Sequence, residues 1–252
     1  MKLKLASICF CYLSALFINP IFAINKSSDY LFATDSWPPY LGPKLKNGGF
    51  FSEIVKEAYR QQGKTVDILY TSWKRAFELT KQGKYEGLLG VYYVPERESY
   101  FKYSSVIFDS RMYLYSKKSK NITFNNLREL SGYRIGIVRG FYYSDEFNNA
   151  IYLEKYESVG AKENITLLVI GRMDLIAADS RVMQYYINTA FPSLNNKYTQ
   201  HPFLLHAKNL HLVISKAIPN YEQLHQEFEA GFAIMKKKGL DKAIMLKHGF
   251  SL

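Results

Sequence analysis

The stretch that decides the fold begins Tyr30-Leu31-Phe32-Ala33-Thr34, continues Asp35-Ser36-Trp37-Pro38-Pro39-Tyr40, and after Gly48-Gly49 becomes Phe50-Phe51-Ser52-Glu53-Ile54-Val55-Lys56-Glu57-Ala58. The first part is apolar and short enough for a strand. Two consecutive prolines fix φ and forbid helix, so the second part is a stiff extended loop. Phe51, Ile54, Val55 and Ala58 then recur at helical spacing until Gly63 stops them.

The same order continues outward. Residues 66–70 read as a second strand, and Ser72 is placed to cap a helix from Trp73 to about Gln82. Gly83-Lys84 turns the chain into a third strand over 87–91. Strand and helix in alternation predict a mostly parallel sheet with right-handed crossovers and helices on its faces. A further strand spans 112–116, and a polar linker covers 117–125.

The pattern then restarts. Residues 126–130 form a short helix and 133–138 a strand. Ser144 caps a helix containing Glu146 and Phe147. Strands follow at 164–170 and 174–178, and Ser180 caps a helix from Arg181 to about Thr189. The end of the chain supplies one more strand, 210–215. Next comes an amphipathic helix with Tyr221, Leu224, Phe228, Phe232 and Met235 on one face, then a last helix over 240–247. These C-terminal pieces have no complete sheet of their own and are expected to return to the first unit.

The chain has 252 residues, 48% of them hydrophobic and 22% charged, which describes a folded globular protein with room for one large core or two modest ones. Its N-terminus reads differently. Lys2 and Lys4 precede an uncharged, mostly apolar run over 5–18, then Pro20 and a small residue at Ala23. That is the layout of a cleavable signal peptide over 1–23. The run is shorter than the roughly 20 residues a spanning helix needs. The mature chain is therefore expected in the periplasm. Cys9 and Cys11 both lie in the leader, which leaves no cysteine for a disulfide or a metal site beyond it. The formal charge is +11, but for an exported chain a nucleic-acid partner is a poor explanation. The basic runs 117–120 and 236–238 read as solvated surface or a helix end.

In open α/β sheets, ligands lie outside the carboxyl ends of the strands. That rule selects Trp37 and Tyr40 after the first strand, Gly90 and Tyr92 after the third, and Arg97 just beyond. In the second unit it selects Gly140, Phe141, Tyr142 and Asp179. Arg97 can grip a carboxylate with two parallel hydrogen bonds, or can form a surface ion pair with Glu96 or Glu98. Asp179 can receive an ammonium group, or can serve as a turn or N-cap residue. Gly140 lets backbone approach a ligand closely. Trp37 and Tyr40 can stack on a ligand or belong to a core. Neither Arg97 nor Asp179 is expected in the core. No catalytic motif or dinucleotide fingerprint is present, and the five histidines show no metal-ligand spacing.

In their order and spacing these motifs resemble the amino-acid-type (family 3) extracellular solute-binding proteins of ABC importers. The matching stretches are Trp37-Pro38-Pro39-Tyr40, Gly48-Gly49-Phe50-Phe51, Trp73-Lys74-Arg75-Ala76, Pro95-Glu96-Arg97, Tyr103-Ser104, Leu130-Ser131-Gly132-Tyr133-Arg134-Ile135-Gly136, Gly140, Gly171-Arg172-Met173-Asp174 and Asp179. The resemblance implies a two-lobed α/β fold of the type II periplasmic-binding class, each lobe a mostly parallel sheet flanked by helices. Lobe 1 is expected over 24–116 and 209–252 and an inserted lobe 2 over 117–208, joined by a two-strand hinge near 116–120 and 207–210. It implies that Arg97 holds an α-carboxylate, Asp179 an α-ammonium and Tyr40 the ligand side chain, and that the backbone of the 140–142 turn meets the carboxylate.

Val94 stands where the family usually has threonine, Phe141 where threonine is common, and Glu86 where aspartate is usual. Tyr92 and Tyr93 are bulkier than the usual residues. These departures imply a site that is narrower, more aromatic, or tuned to another solute. The expected function is capture of a small polar solute, an amino acid or related zwitterion, by a monomer that needs no cofactor and works with a membrane permease or sensor. An enzyme of similar fold, such as a cyclohexadienyl dehydratase, is the alternative.

Overall fold

A computed structural model describes residues 28–250; the expected leader over 1–23, with both cysteines, lies outside the described residues. The first unit contains β1 (Tyr30–Thr34), α1 (Phe50–Arg60), β2 (Val66–Tyr70), α2 (Trp73–Lys81) and β3 (Gly87–Tyr92), with β1 parallel to both β2 and β3. A short strand β4 (Phe101–Tyr103) and a long strand β5 (Phe108–Lys117) follow. The second unit contains β6 (Arg134–Val138), α3 (Asp145–Asn149), β7 (Glu154–Ser158), α4 (Ala161–Val169), β8 (Leu175–Asp179) and α5 (Ser180–Thr189). There β6 is parallel to both β7 and β8. The chain closes with β9 (Tyr198–Ser215), α6 (Tyr221–Lys237) and α7 (Leu240–Lys247).

The strands form one hydrogen-bonded path, β2-β1-β3-β9-β5-β8-β6-β7, with β4 also on β9. Each three-stranded unit therefore has the same internal order, with its first strand in the middle. The two units are joined by β5 and β9, which pair antiparallel from Phe108↔Leu210 to Lys117↔Tyr198. The last residues of β9 pair with β3 and β4, while Met112–Ser116 of β5 pairs with β8. The chain thus passes between the units through 108–111 and 206–210, along two adjacent strands.

The largest core lies under the first unit. Phe32, Phe50, Phe51, Ile54, Val55 and Tyr59 pack with Leu224, Phe228, Phe232, Met235, Ile244 and Met245, so α6 and α7 cover the first sheet. Contact between α1 and α6 is close because Gly231 has no side chain: a Cβ there would lie 1.9 Å from the Ala58 carbonyl oxygen. Val182 of α5 also joins this core, which brings the second unit against the first. The second unit has its own interior, with Leu130, Ile135, Phe147 and Leu175 on one side and Ile165, Leu168, Ile176 and Met183 on the other.

Four local readings are corrected. Residues 164–170 are not a strand but part of α4, which buries Asn164, Ile165 and Leu168 on one helical face. The strand beside β6 is instead β7, at the end of the strand path, mostly exposed and hence without an apolar pattern. The cap of α5 is Asp179 rather than Ser180, since its carboxylate accepts hydrogen bonds from the backbone of Arg181 and Val182. Ser72 stands at the N-cap of α2 but its side chain makes no capping bond. The strand expected at 210–215 begins at Tyr198, because its first half alternates between exposed and buried positions with polar residues interspersed.

Candidate functional site

The loop after β1 is built to hold Tyr40. Trp37 and Leu41 exchange backbone hydrogen bonds of 2.8 and 3.0 Å around Pro38 and Pro39, whose peptide bond is cis. Phe51, in the first turn of α1, donates its N–H to the Tyr40 carbonyl at 3.1 Å. Gly49 makes this approach possible: its φ is +96°, and a Cβ there would lie 2.3 Å from the Tyr40 oxygen. The Tyr40 ring stacks on Trp37 at 4.5 Å and meets Phe50 at 5.1 Å and Phe108 at 6.2 Å, leaving 0% of the residue exposed.

Its hydroxyl points across to the second unit, where it donates to Asp179, 3.0 Å from both carboxylate oxygens. Ser110, on the crossing strand β5, donates to the same carboxylate at 2.8 Å. The backbone N–H groups of Arg181 and Val182 add bonds of 2.9 and 3.0 Å. Asp179 is 3% exposed, so the expectation that it lies outside the core is overturned. Burial pushes its pKa up, opposed by the Val182 N–H, Ser110 and Tyr40. The Tyr40 hydroxyl is in turn pushed well above its ordinary value by burial first and by the Asp179 charge second. Arg181 lies nearby, its guanidinium 4.0 Å from the Phe108 ring centre.

A second cluster forms around the end of β3. Gly90 has φ +74° and sits where the β3–β9 register shifts, a bulge that re-aims the strand just before Tyr92. The Tyr92 hydroxyl lies 3.0 Å from the Ser110 oxygen, which links this cluster to the first. Arg97 lies in a 3-10 turn over Pro95–Ser99 and packs over the Phe77 ring at 5.2 Å. The Tyr103 hydroxyl donates to the Tyr92 carbonyl and accepts from the Val94 N–H. Burial pushes the Tyr103 pKa up, opposed by the Val94 N–H and by the nearby Arg97 charge.

From β9, Lys208 places its ammonium 3.7 Å from the Tyr142 ring centre and 5.6 Å from that of Tyr92. The Lys208 pKa is lowered by burial; Asp145 opposes this and Arg97 adds to it, so the two cations feel each other. Among the described residues neither Arg97 nor Lys208 forms an ion pair. The neighbouring His206 ring faces Tyr92 at 6.2 Å and Tyr142 at 6.4 Å. Its Nδ1 meets the Tyr143 carbonyl and therefore carries the proton, which leaves Nε2 as a buried acceptor with no partner among the described residues. Burial lowers the His206 pKa and favours this neutral form.

Gly140 has φ +75° and open space around it, and Phe141 and Tyr142 are both well exposed. The short α3 that follows is capped by its own Ser144, which takes the Phe147 N–H at 3.1 Å. The structure thus gathers Trp37, Tyr40 and Asp179 into one buried group. Gly90, Tyr92, Arg97 and Tyr142 form a more open group beside it. Ser110, Tyr103, Lys208 and His206 escaped the sequence reading. Ser110 and Lys208 lie on the crossing strands, where position along the chain marks a hinge but not which side chain turns inward.

Two parallel three-stranded units, joined by two long adjacent strands and meeting at the carboxyl ends of β1 and β8, define a type II binding-protein fold. The chain belongs to the bacterial extracellular solute-binding proteins, family 3, whose model matches residues 31–250. Solved structures agree in fold. A mutant of ArgBP from T. maritima is 17% identical, covering 86% of this chain and 93% of its own, with a TM-score of 0.68. The second substrate binding domain of a putative amino acid ABC transporter from Streptococcus pneumoniae is 20% identical, covering 87% and 99%, with a TM-score of 0.64. A histidine kinase sensor domain with similarity to periplasmic binding proteins is 17% identical, covering 86% and 94%, with a TM-score of 0.67. Among the described residues no helix is long and apolar enough to cross a membrane.

Proposed function

We propose that this chain is a non-enzymatic periplasmic receptor that captures a small polar solute bearing a carboxylate between two lobes and presents it to a membrane partner. The observation that carries this reading is the meeting of strand ends from the two units, where Tyr40 reaches Asp179 and where Arg97 and Lys208 stand alongside with no ion pair among the described residues. A solute placed there touches both units, and contacts to both favour the closed arrangement.

In this reading lobe 1 is the first unit with the C-terminal helices and lobe 2 is the inserted second unit. The pairing of Met112–Ser116 with β8 supports a first crossing at 108–111 rather than at 116–120. Arg97 takes the carboxylate, supported by the Tyr103 hydroxyl where the family's usual threonine is replaced by Val94. Tyr92 and Tyr142 wall the solute. The partner is a permease or a sensor, since this fold serves both an ABC transporter domain and a histidine kinase sensor domain.

The test is mass spectrometry of the small molecule that co-purifies with the protein isolated from the periplasm, followed by incubation with that molecule. Recovery of the solute unchanged supports a receptor. Conversion to a product rejects it in favour of an enzyme.

A further inference from the structure

We propose that the cleft selects organic carboxylates that carry no α-ammonium group, because the Tyr40 hydroxyl already occupies the Asp179 carboxylate while Arg97 and Lys208 stand ready for an anion. This rests on the reading of the cleft as a solute site and narrows its substrate class.

An ionised carboxylate offers about four lone-pair positions to donors. At Asp179 four donors are in place: the Arg181 and Val182 N–H groups and the hydroxyls of Ser110 and Tyr40. An incoming ammonium must displace one of them. The backbone donors belong to α5 and cannot leave without unwinding its first turn. While the two units are closed together Tyr40 cannot swing away either, since its ring lies between Trp37 and Phe50 and its carbonyl is held by the Phe51 N–H in the notch left by Gly49. The carboxylate therefore acts as an internal lock between the two units rather than as a receptor for a charged amine.

The other half of the site has the opposite bias. Arg97 and Lys208 bring two positive charges to the mouth of β3. Asp145 is near enough to oppose the lowering of the Lys208 pKa, but among the described residues the two form no ion pair. Two cations that repel each other and lack an ion-pair partner among the described residues favour an anionic guest. The rings of Tyr92 and Tyr142 beside Lys208 supply flat apolar walls, which suit a carbon skeleton next to that carboxylate.

Isothermal titration calorimetry on the periplasmic protein decides the matter with two matched pairs of probes: L-phenylalanine against 3-phenylpropanoate, and L-glutamate against glutarate. At least one des-amino carboxylate is expected to bind ten-fold or more tightly than its amino acid. In Lys208→Gln that carboxylate weakens at least five-fold. In Tyr40→Phe, which keeps the ring and frees an acceptor on Asp179, the preference against the amino acid shrinks at least three-fold. Thermal melting confirms that both variants fold. Tighter binding of either amino acid than of its des-amino partner overturns the proposal while leaving the receptor reading intact. Binding of none of the four probes, together with no solute in the co-purification experiment, overturns both.

Discussion

The Tyr40 hydroxyl lies 3.0 Å from each oxygen of Asp179, although 139 positions separate the two residues in the chain. The contact joins the loop after the first strand of one unit to the last strand of the other. It turns a residue expected to wait for a ligand into the centre of a buried hydrogen-bond group.

Asp179→Ala should weaken the unliganded protein. It removes the cap of α5 and strands the hydroxyls of Tyr40 and Ser110 in a buried place. Losing a cap costs about 1 kcal/mol and each of the two unsatisfied buried hydroxyls about 1–3 kcal/mol, so a total of about 3–7 kcal/mol is expected. Urea unfolding measures it, and an unchanged midpoint with an unchanged slope would contradict the geometry.

Arg97→Ala should do the reverse. Arg97 is half-buried on the surface of a 3-10 turn and contributes a contact to Phe77. Stability should shift by no more than about 0.5 kcal/mol. Affinity for the co-purified solute should fall by about 2–5 kcal/mol, since the ligand carboxylate loses its paired donor. Titration calorimetry and melting curves on the same sample separate the two effects.

Gly231→Ala tests the docking of α6 on α1. The added methyl group meets backbone, not a movable side chain, so one helix has to shift. A loss of about 1–3 kcal/mol or more in unfolding free energy is expected. Solute affinity of the folded fraction should stay within two-fold of wild type, on the order of 0.4 kcal/mol.

Acid sensitivity should be concentrated at Asp174. Hydrogen bonds from the Arg134 side chain hold its pKa down at about 2, against an ordinary 3.8, with further help from the Arg134 N–H and Lys120. A depressed folded pKa stabilises the fold above the unfolded value and loses that contribution as pH falls through the folded one. Arg134 is partly exposed, so the contribution is discounted to about 1–2 kcal/mol. Asp174→Asn should therefore be less stable by that amount at pH 5–7, and the gap should close between pH 4 and 2. A gap independent of pH would assign the effect to packing instead.

Strands and helices with an apolar face were legible because their spacing repeats, as in Phe51, Ile54, Val55 and Ala58 of α1 or Leu224, Phe228 and Phe232 of α6. The edge strand β7 was not, since one with a single buried residue, Ser158, needs no apolar alternation. Residues 164–170 misled for the opposite reason: Ile165, Leu167, Leu168, Val169 and Ile170 crowd together, and a short apolar run looks alike in a strand and in a buried helix. For the candidate site, the strand-end rule selects Tyr40, Tyr92, Arg97 and Asp179. It could not find Ser110 or Lys208, which lie within β5 and β9 rather than beyond a strand end.

The sequence by itself determined the alternation of strand and helix, the restart that makes two units, and the loops that carry the candidate site. These follow from local periodicity and from residues such as Pro38, Pro39 and Gly49 that restrict or free the backbone where they stand. Only the tertiary structure decided which donors Asp179 meets. Whether a carboxylate after a strand meets a ligand or a neighbour depends on which donors the rest of the chain brings within about 3 Å, a hydrogen-bond range too short for any spacing along the chain to specify. Here Tyr40 and Ser110 arrive first, carried by a loop and a crossing strand whose positions are set by the packing of one unit against the other.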